Sequence, residues 1–176
     1  MKRFLLSLLA AILIAGAGLA VHHTSAESTK RLPTFSMKDL EEREHSLSDA
    51  QFKDKLLLIA AVGTWQQVSA DQAAELEKFH KAHPEVEIIT FVVDDLPAAR
   101  DFVKQQGLTY PCYKTDGTAP IGGTFNRLFE TKKGKTLTLN QLPFVVLADK
   151  TRNVKFAELG LVDAARLGEE LGKIAD

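Results

Sequence analysis

Few residues in this chain could do chemistry, and they are widely spaced. There is one thiol in 176 residues, Cys112. A single thiol cannot close a disulfide within its own chain, so it is either inert or pairs with another molecule. Tyr110-Pro111 before it and Tyr113 after it favour a small packed residue at the start of a strand, a common place for free Cys. The alternative is a thiol enzyme working through Cys112. A monothiol can form a mixed disulfide but needs outside help to resolve it. Ser69 offers a hydroxyl. No His or carboxylate lies at a recognisable spacing to activate it, and no Gly-x-Ser-x-Gly surrounds it. His80 and His83 lie three apart near a helix end, where imidazole is favourable without metal, and no third ligand is evident. Lys132-Lys133-Gly134-Lys135-Thr136 has the tail of a phosphate loop. Phe129 stands where that loop needs its first Gly, so the stretch reads as a solvated loop that could touch a partner. These residues call for no metal and no cofactor.

The elements that must position them follow from apolar patterning. Leu56-Leu57-Leu58-Ile59-Ala60-Ala61-Val62 is continuous and apolar, as in a strand buried on both faces. Glu87 to Val93 is a second such run. Between them a helix is expected from about Val68 to His83, ended by Pro84, with Ala73, Leu76, Phe79 and Ala82 as its buried stripe. Asp94-Asp95-Leu96-Pro97 opens another helix, and Gly107 stops it. Thr34–Leu40 and Glu44–Leu47 read as short strands, and Ser48–Lys53 as one helical turn capped by Ser48. Leu108–Tyr113 reads as a strand interrupted by Pro111, and Thr124–Phe129 as a short helix. Residues 130–141 read as a loop or small hairpin. Phe144–Leu147 and Val154–Phe156 are expected to pair as strands, and a closing helix to run from about Asp163 to Ile174. Buried strands alternating with helices, then a late hairpin, predict an α/β sandwich with a central mixed sheet.

The first residues suggest export. Met1-Lys2-Arg3 precedes the apolar run Phe4–Val21, and small residues follow. That is the pattern of a signal peptide over 1–26, with cleavage after Ala26 or Ala20. An uncleaved anchor is the alternative, because the run is near the lower limit for spanning a bilayer. Either way the remainder is placed in the periplasm or otherwise outside the cytoplasm, with 27–33 as a linker and 34–176 as one domain. Without Lys2 and Arg3 the chain carries 20 basic and 23 acidic residues. That balance argues against a nucleic-acid partner or an anionic membrane, leaving an exported protein or peptide. The membrane enters only through the possible anchor.

This order of elements, with the residues at its corners, resembles the thioredoxin-like superfamily. The likeness is to its extracytoplasmic redoxin-type branch, the AhpC/TSA- or TlpA/ResA-like proteins of thiol reduction and cytochrome c maturation. Phe35-Ser36-Met37-Lys38-Asp39-Leu40 resembles the first strand of that branch. Trp65 matches the Trp before its redox turn, and Gly107-Leu108-Thr109-Tyr110-Pro111 its Gly-Leu-Thr-aromatic-Pro segment. Leu142-Pro143-Phe144 matches its cis-proline loop, and Leu147-Ala148-Asp149-Lys150 the strand end beyond.

The resemblance implies two cysteines bracketing two residues at the start of the helix after the first buried strand, where the helix N-terminus lowers a thiol pKa. Here the turn is Trp65-Gln66-Gln67-Val68-Ser69, with Gln66 and Ser69 at the thiol positions. Ala60 occupies a position where the family often has a polar or acidic residue. Peroxidase and copper-chaperone readings fail for lack of the same cysteines. The expectation is a non-catalytic module that binds a partner protein or peptide through Trp65, Gln66, Leu142, Pro143 and Phe144, with Gln67 in the facing wall. Thiol chemistry at Cys112 is the alternative. A haem or small-ligand module for cytochrome maturation is a third reading, without a Cys-x-x-Cys-His to support it.

Overall fold

The two apolar runs become the centre of the sheet in the computed structural model, which describes residues 30–129 and 141–175. Strand β3 (Leu56–Gly63) and strand β4 (Val86–Val93) pair in parallel from Leu56↔Val86 to Gly63↔Val93. Every residue of β3 after Leu56 is buried. Around this pair lie β1 (Ser36–Asp39), β2 (Glu44–Ser46), β5 (Cys112–Thr115), β6 (Phe144–Ala148) and β7 (Val154–Leu159). The sheet order is β2-β1-β5-β4-β3-β6-β7. Strands β3, β4 and β5 run parallel, and β6 returns antiparallel beside β3 and pairs with β7. The sheet is mixed, and the fold is the expected α/β sandwich.

Period-two alternation in the strands sends side chains to two cores. Leu58, Ala60, Val62, Ile88 and Val92 face helices α1 (Gln67–Ala82), α2 (Leu96–Gln106) and α4 (Ala164–Ala175). Leu57, Ile59, Ala61, Ile89 and Phe91 face α3 (Thr118–Phe125) and the N-terminal hairpin. Helix α2 is capped as its sequence predicts. The Asp95 carboxylate accepts the Ala98 N–H at 2.9 Å, and Gly107 takes the left-handed conformation at φ 62°.

Four local expectations need correction. Ser48 does not cap the short turn at Ala50–Phe52; Asp49 precedes it, and its carboxylate reaches back to the Ser46 N–H at 2.8 Å. Ala82 is exposed, and the buried stripe of α1 instead begins with Ser69 and Gln72. The fifth strand starts only at Cys112. Leu108 closes α2 through Val103 O, Thr109 is held by Glu77 of α1, and Pro111 has no N–H to give a ladder. The helix expected at Thr124–Phe129 begins at Thr118, with Pro120 in its first turn, and a 3-10 turn follows at Asn126–Leu128. Gly122 and Gly123, poor helix formers, hid it. The signal region and most of the 130–141 loop, including Lys132–Thr136, lie outside the described residues.

Candidate functional site

The carboxyl ends of β3, β4 and β5 point the same way, and the topology brings the start of β6 and the end of β7 to that same end. Helices α1 and α2 begin there too. At the end of a parallel sheet, ligands find loops and helix N-termini together.

The corner begins at Gly63. A Cβ there would lie 3.0–3.2 Å from three atoms of the Trp65 indole. The absence of a side chain at 63 therefore lets the ring lie against the strand end. The ring is nonetheless 51% exposed. Thr64 Oγ1 donates to the Asp94 carboxylate at the end of β4, which ties the turn to the neighbouring strand. Gln66 is the N-cap of α1 in extended backbone (φ −115°, ψ 127°), and its carbonyl accepts the N–H groups of Ser69 and Ala70 at 3.0 and 3.2 Å.

Ser69 is fully buried. Its Oγ accepts the Gly63 N–H at 3.0 Å and donates to Gln66 Oε1 at 3.3 Å. The hydroxyl thus closes the corner from strand to helix, and neither of these partners is a base. Helix α1 carries no acidic residue in its first turn. The helix dipole that could hold an anion here is intact, while the two candidate thiol positions hold an amide and a structural hydroxyl.

Below the corner, Gln72 is also fully buried. Its amide accepts from Val162 N at 2.8 Å and donates to Val162 O at 3.0 Å. Glu75 accepts the Ala164 N–H at 2.9 Å. These contacts pin the β7–α4 connection against α1. The sequence does not single out either residue, because a polar side chain on an amphipathic helix ordinarily faces solvent. The only signal is spacing: Gln72 lies one turn after Ser69 and Val68, on their side of the helix.

The Leu142–Pro143 peptide is cis. Pro143 O accepts the Gly160 N–H at 2.8 Å, which draws the end of β7 against the loop. The side chains of this loop are covered. Leu142 is 5% exposed, Phe144 is fully buried, and Pro143 is buried as well. Their side chains belong to the core and are not available to a partner. The apolar wall comes instead from either side of Gly160. Leu159, 37% exposed, pairs across from Phe144, and Leu161 is 48% exposed. With Trp65 and Val68 they are all the exposed large hydrophobic side chains among the described residues, and all four sit at this end of the sheet. Gln66 is half-buried and Gln67 exposed beside them.

Cys112 lies elsewhere, buried on β5 opposite Thr90. Its thiol donates to Tyr110 O at 3.6 Å. Burial, reinforced by the Glu77 charge, pushes the thiol up to about 12. A cleft of about 330 Å³ passes beside it, lined also by Asp39, Arg43, His45 and Tyr113. Burial raises the Asp39 carboxyl, but bonds from His45, from the Arg43 side chain and from two backbone N–H groups more than reverse this and hold it well below the usual carboxylate range. Asp39 thus anchors the hairpin, and nothing in the cleft activates the thiol. His80 and His83 part company. His80 lies edge-on to Tyr110 at 5.7 Å, and His83 meets Glu85 at 3.1 Å and stacks on Phe79. Among the described residues no group of three or more His, Cys, Asp or Glu could hold a metal ion, and no helix is long and apolar enough to cross a membrane.

Residues 29–167 match the model of the AhpC/TSA family. Among solved structures, a thiol:disulfide interchange protein of the thioredoxin family from Chlorobium tepidum superposes with a TM-score of 0.69 at 18% identity, covering 84% of this chain and 97% of that one. A thiol-disulfide oxidoreductase from Bacteroides fragilis gives 0.66 at 19%, covering 82% and 98%. A DsbF homologue from Corynebacterium diphtheriae gives 0.65 at 22%, covering 83% and 87%. At these identities the likeness is one of fold. No curated relative matches the sequence.

Proposed function

The chain belongs to the AhpC/TSA family, and from that premise we propose that it is an exported thioredoxin-fold protein that binds a partner protein or peptide without exchanging thiols with it. The observation that carries this reading is the clustering of Trp65, Val68, Leu159 and Leu161 around a corner that holds Gln66 and Ser69. Large apolar side chains exposed together at one end of a sheet mark an interaction site more often than scattered exposure does. A working redox turn would need a nucleophile at the start of α1, and the one thiol in the chain is on another strand. The alternative, thiol chemistry at Cys112, has a buried thiol with a raised pKa as its nucleophile. The Lys2-Arg3 and Phe4–Val21 pattern supports placing the domain outside the cytoplasm, and the resemblance to the redoxin-type branch is what suggests thiol-redox or cytochrome maturation processes.

The test is a double variant, Trp65→Ser with Leu161→Ser, in the full chain. Both side chains are about half exposed, so the fold should survive their loss. The variant is expected to lose the partners that wild type retains. If it retained every one of them, the surface would not be the binding site and the reading would fail.

A further inference from the structure

The opposite end of the sheet holds a second cleft, of about 480 Å³. It lies where the chain enters the domain at Arg31, beside the turn before β3 and the turn between β6 and β7. Its charged lining is Arg31, Lys53, Lys150 and Arg152 against a single carboxylate, Asp54. The side chains of Arg31, Lys53 and Lys150 have no ion-pair or hydrogen-bond partner among the described residues. In a chain with slightly more acids than bases, this is a local excess of three positive charges.

Arg152 is built into the wall. Its backbone is left-handed (φ 72°), a conformation that non-glycine residues adopt uncommonly. Its Nη2 donates to Phe52 O at 2.5 Å and Leu47 O at 3.3 Å. Its Nη1 is buried and has no hydrogen-bond partner. Both acceptors are neutral carbonyls, so the guanidinium is positioned but its charge is not neutralised. Burial lowers its pKa and the Asp54 charge only partly offsets this. A partly buried cation whose charge is not neutralised favours a nearby anion.

We propose that this cleft is an oxyanion site that takes a phosphate group, with Arg152 as a fixed positive charge in its wall and Arg31, Lys53 and Lys150 as the groups that meet the anion. A surplus of three charges suits a multiply charged oxyanion better than a lone carboxylate, and the unpaired Arg31 guanidinium offers a planar fork that matches phosphate oxygens. The phosphate can come from two sources. Eight residues separate Val21, the end of the apolar run, from Lys30, a reach of at most about 32 Å when extended. A retained anchor would bring this pole to lipid headgroups and leave the Trp65 corner facing away. A released domain would meet free phosphate.

Amine footprinting read by mass spectrometry separates the cases. The full chain in neutral detergent is modified with and without inorganic phosphate, against chloride at matched ionic strength. It is also modified in nanodiscs of phosphatidylglycerol and of phosphatidylcholine. Lys53 and Lys150 are the reporters, and Lys78 and Lys104 are the references. Selective protection by inorganic phosphate assigns the site to a free phosphate. Selective protection only in phosphatidylglycerol assigns it to a lipid headgroup. No protection in either arm, or equal protection of the reference lysines, overturns the proposal. Arg152→Gln removes the fixed charge but also two contacts of the wall. The exposed pair Lys53→Gln with Lys150→Gln leaves the wall intact. That pair, read by phosphate-dependent thermal shift, should bind phosphate about tenfold more weakly, the scale expected for two point charges. Unchanged binding in that variant also overturns the proposal.

Discussion

Replacing Ser69 by Ala tests whether this corner is held by a hydroxyl that stands where a thiol is expected. The side chain is fully buried, and its Oγ accepts from a buried backbone donor, Gly63 N–H, at 3.0 Å. Alanine fits the space but leaves that N–H unsatisfied. Leaving a buried donor without an acceptor costs about 1–3 kcal/mol. The weaker bond to Gln66 Oε1, at 3.3 Å, adds little, because Gln66 is half-buried and can turn to water. For a domain of this size each kcal/mol moves the thermal midpoint by roughly 3 °C, so a fall of about 3–9 °C is expected. Urea unfolding of the full chain in neutral detergent, followed by the single Trp, gives the free energy directly. Ser69→Cys is the informative companion. A thiol is a weaker acceptor of similar shape, so it should recover part of the loss. A change below about 0.3 kcal/mol in Ser69→Ala, well under the cost of an orphaned donor, would mean that the hydroxyl does not hold the corner, and the structural role assigned to it would be wrong.

Three further outcomes are expected. Cys112, pushed up to about 12, should react with a chromogenic disulfide roughly a thousandfold more slowly in the native protein than after unfolding, since its thiolate is depleted by about three pH units; fast native reaction with an apparent pKa below 8.5 would return the chemistry to this residue. Gly63→Ala should displace the Trp65 ring, because the new Cβ would sit 3.0 Å from it; a shift in tryptophan emission and a loss of about 1–3 kcal/mol are expected, and an unchanged spectrum would contradict the packing. Burial raises the Asp149 carboxyl, but bonds from Thr151 and Asn153 outweigh this and hold it at about 2. Its folded-state pKa is thus depressed, so its contribution is complete above the unfolded value near 3.9 and is lost as pH falls toward 2. Asp149→Asn should flatten that part of a stability–pH curve, and an unaltered slope would count against it.

The fold was legible where burial is continuous. Leu56–Val62 and Glu87–Val93 could only be strands covered on both faces, and Asp95, Pro97 and Gly107 punctuate α2 where they should. The start of β5 was not legible, because it depends on Glu77 holding Thr109 from a helix 32 residues away. Helix α3 was hidden by Gly122 and Gly123. At the site, Trp65, Gln66 and Ser69 could be placed from the order of elements alone. Exposure could not be. Leu142 and Phe144 carry the same apolar character as Leu159 and Leu161, and only the position of β7 beside β6 decides which pair is covered. Gln72 was overlooked for the converse reason, since a buried amide satisfied by a distant loop resembles a solvent-facing one in sequence.

The central claim is that the Trp65 corner holds a partner without exchanging thiols with it. A photo-crosslinking amino acid at Gln67, exposed beside Trp65, tests both halves at once when the full chain is expressed in an exporting host. The account predicts a discrete crosslinked adduct that survives thiol reductant, persists in Cys112→Ala and disappears when Trp65 and Leu161 are both changed to Ser. No adduct at position 67, or capture that depends on Cys112 and dissolves under reductant, would contradict it.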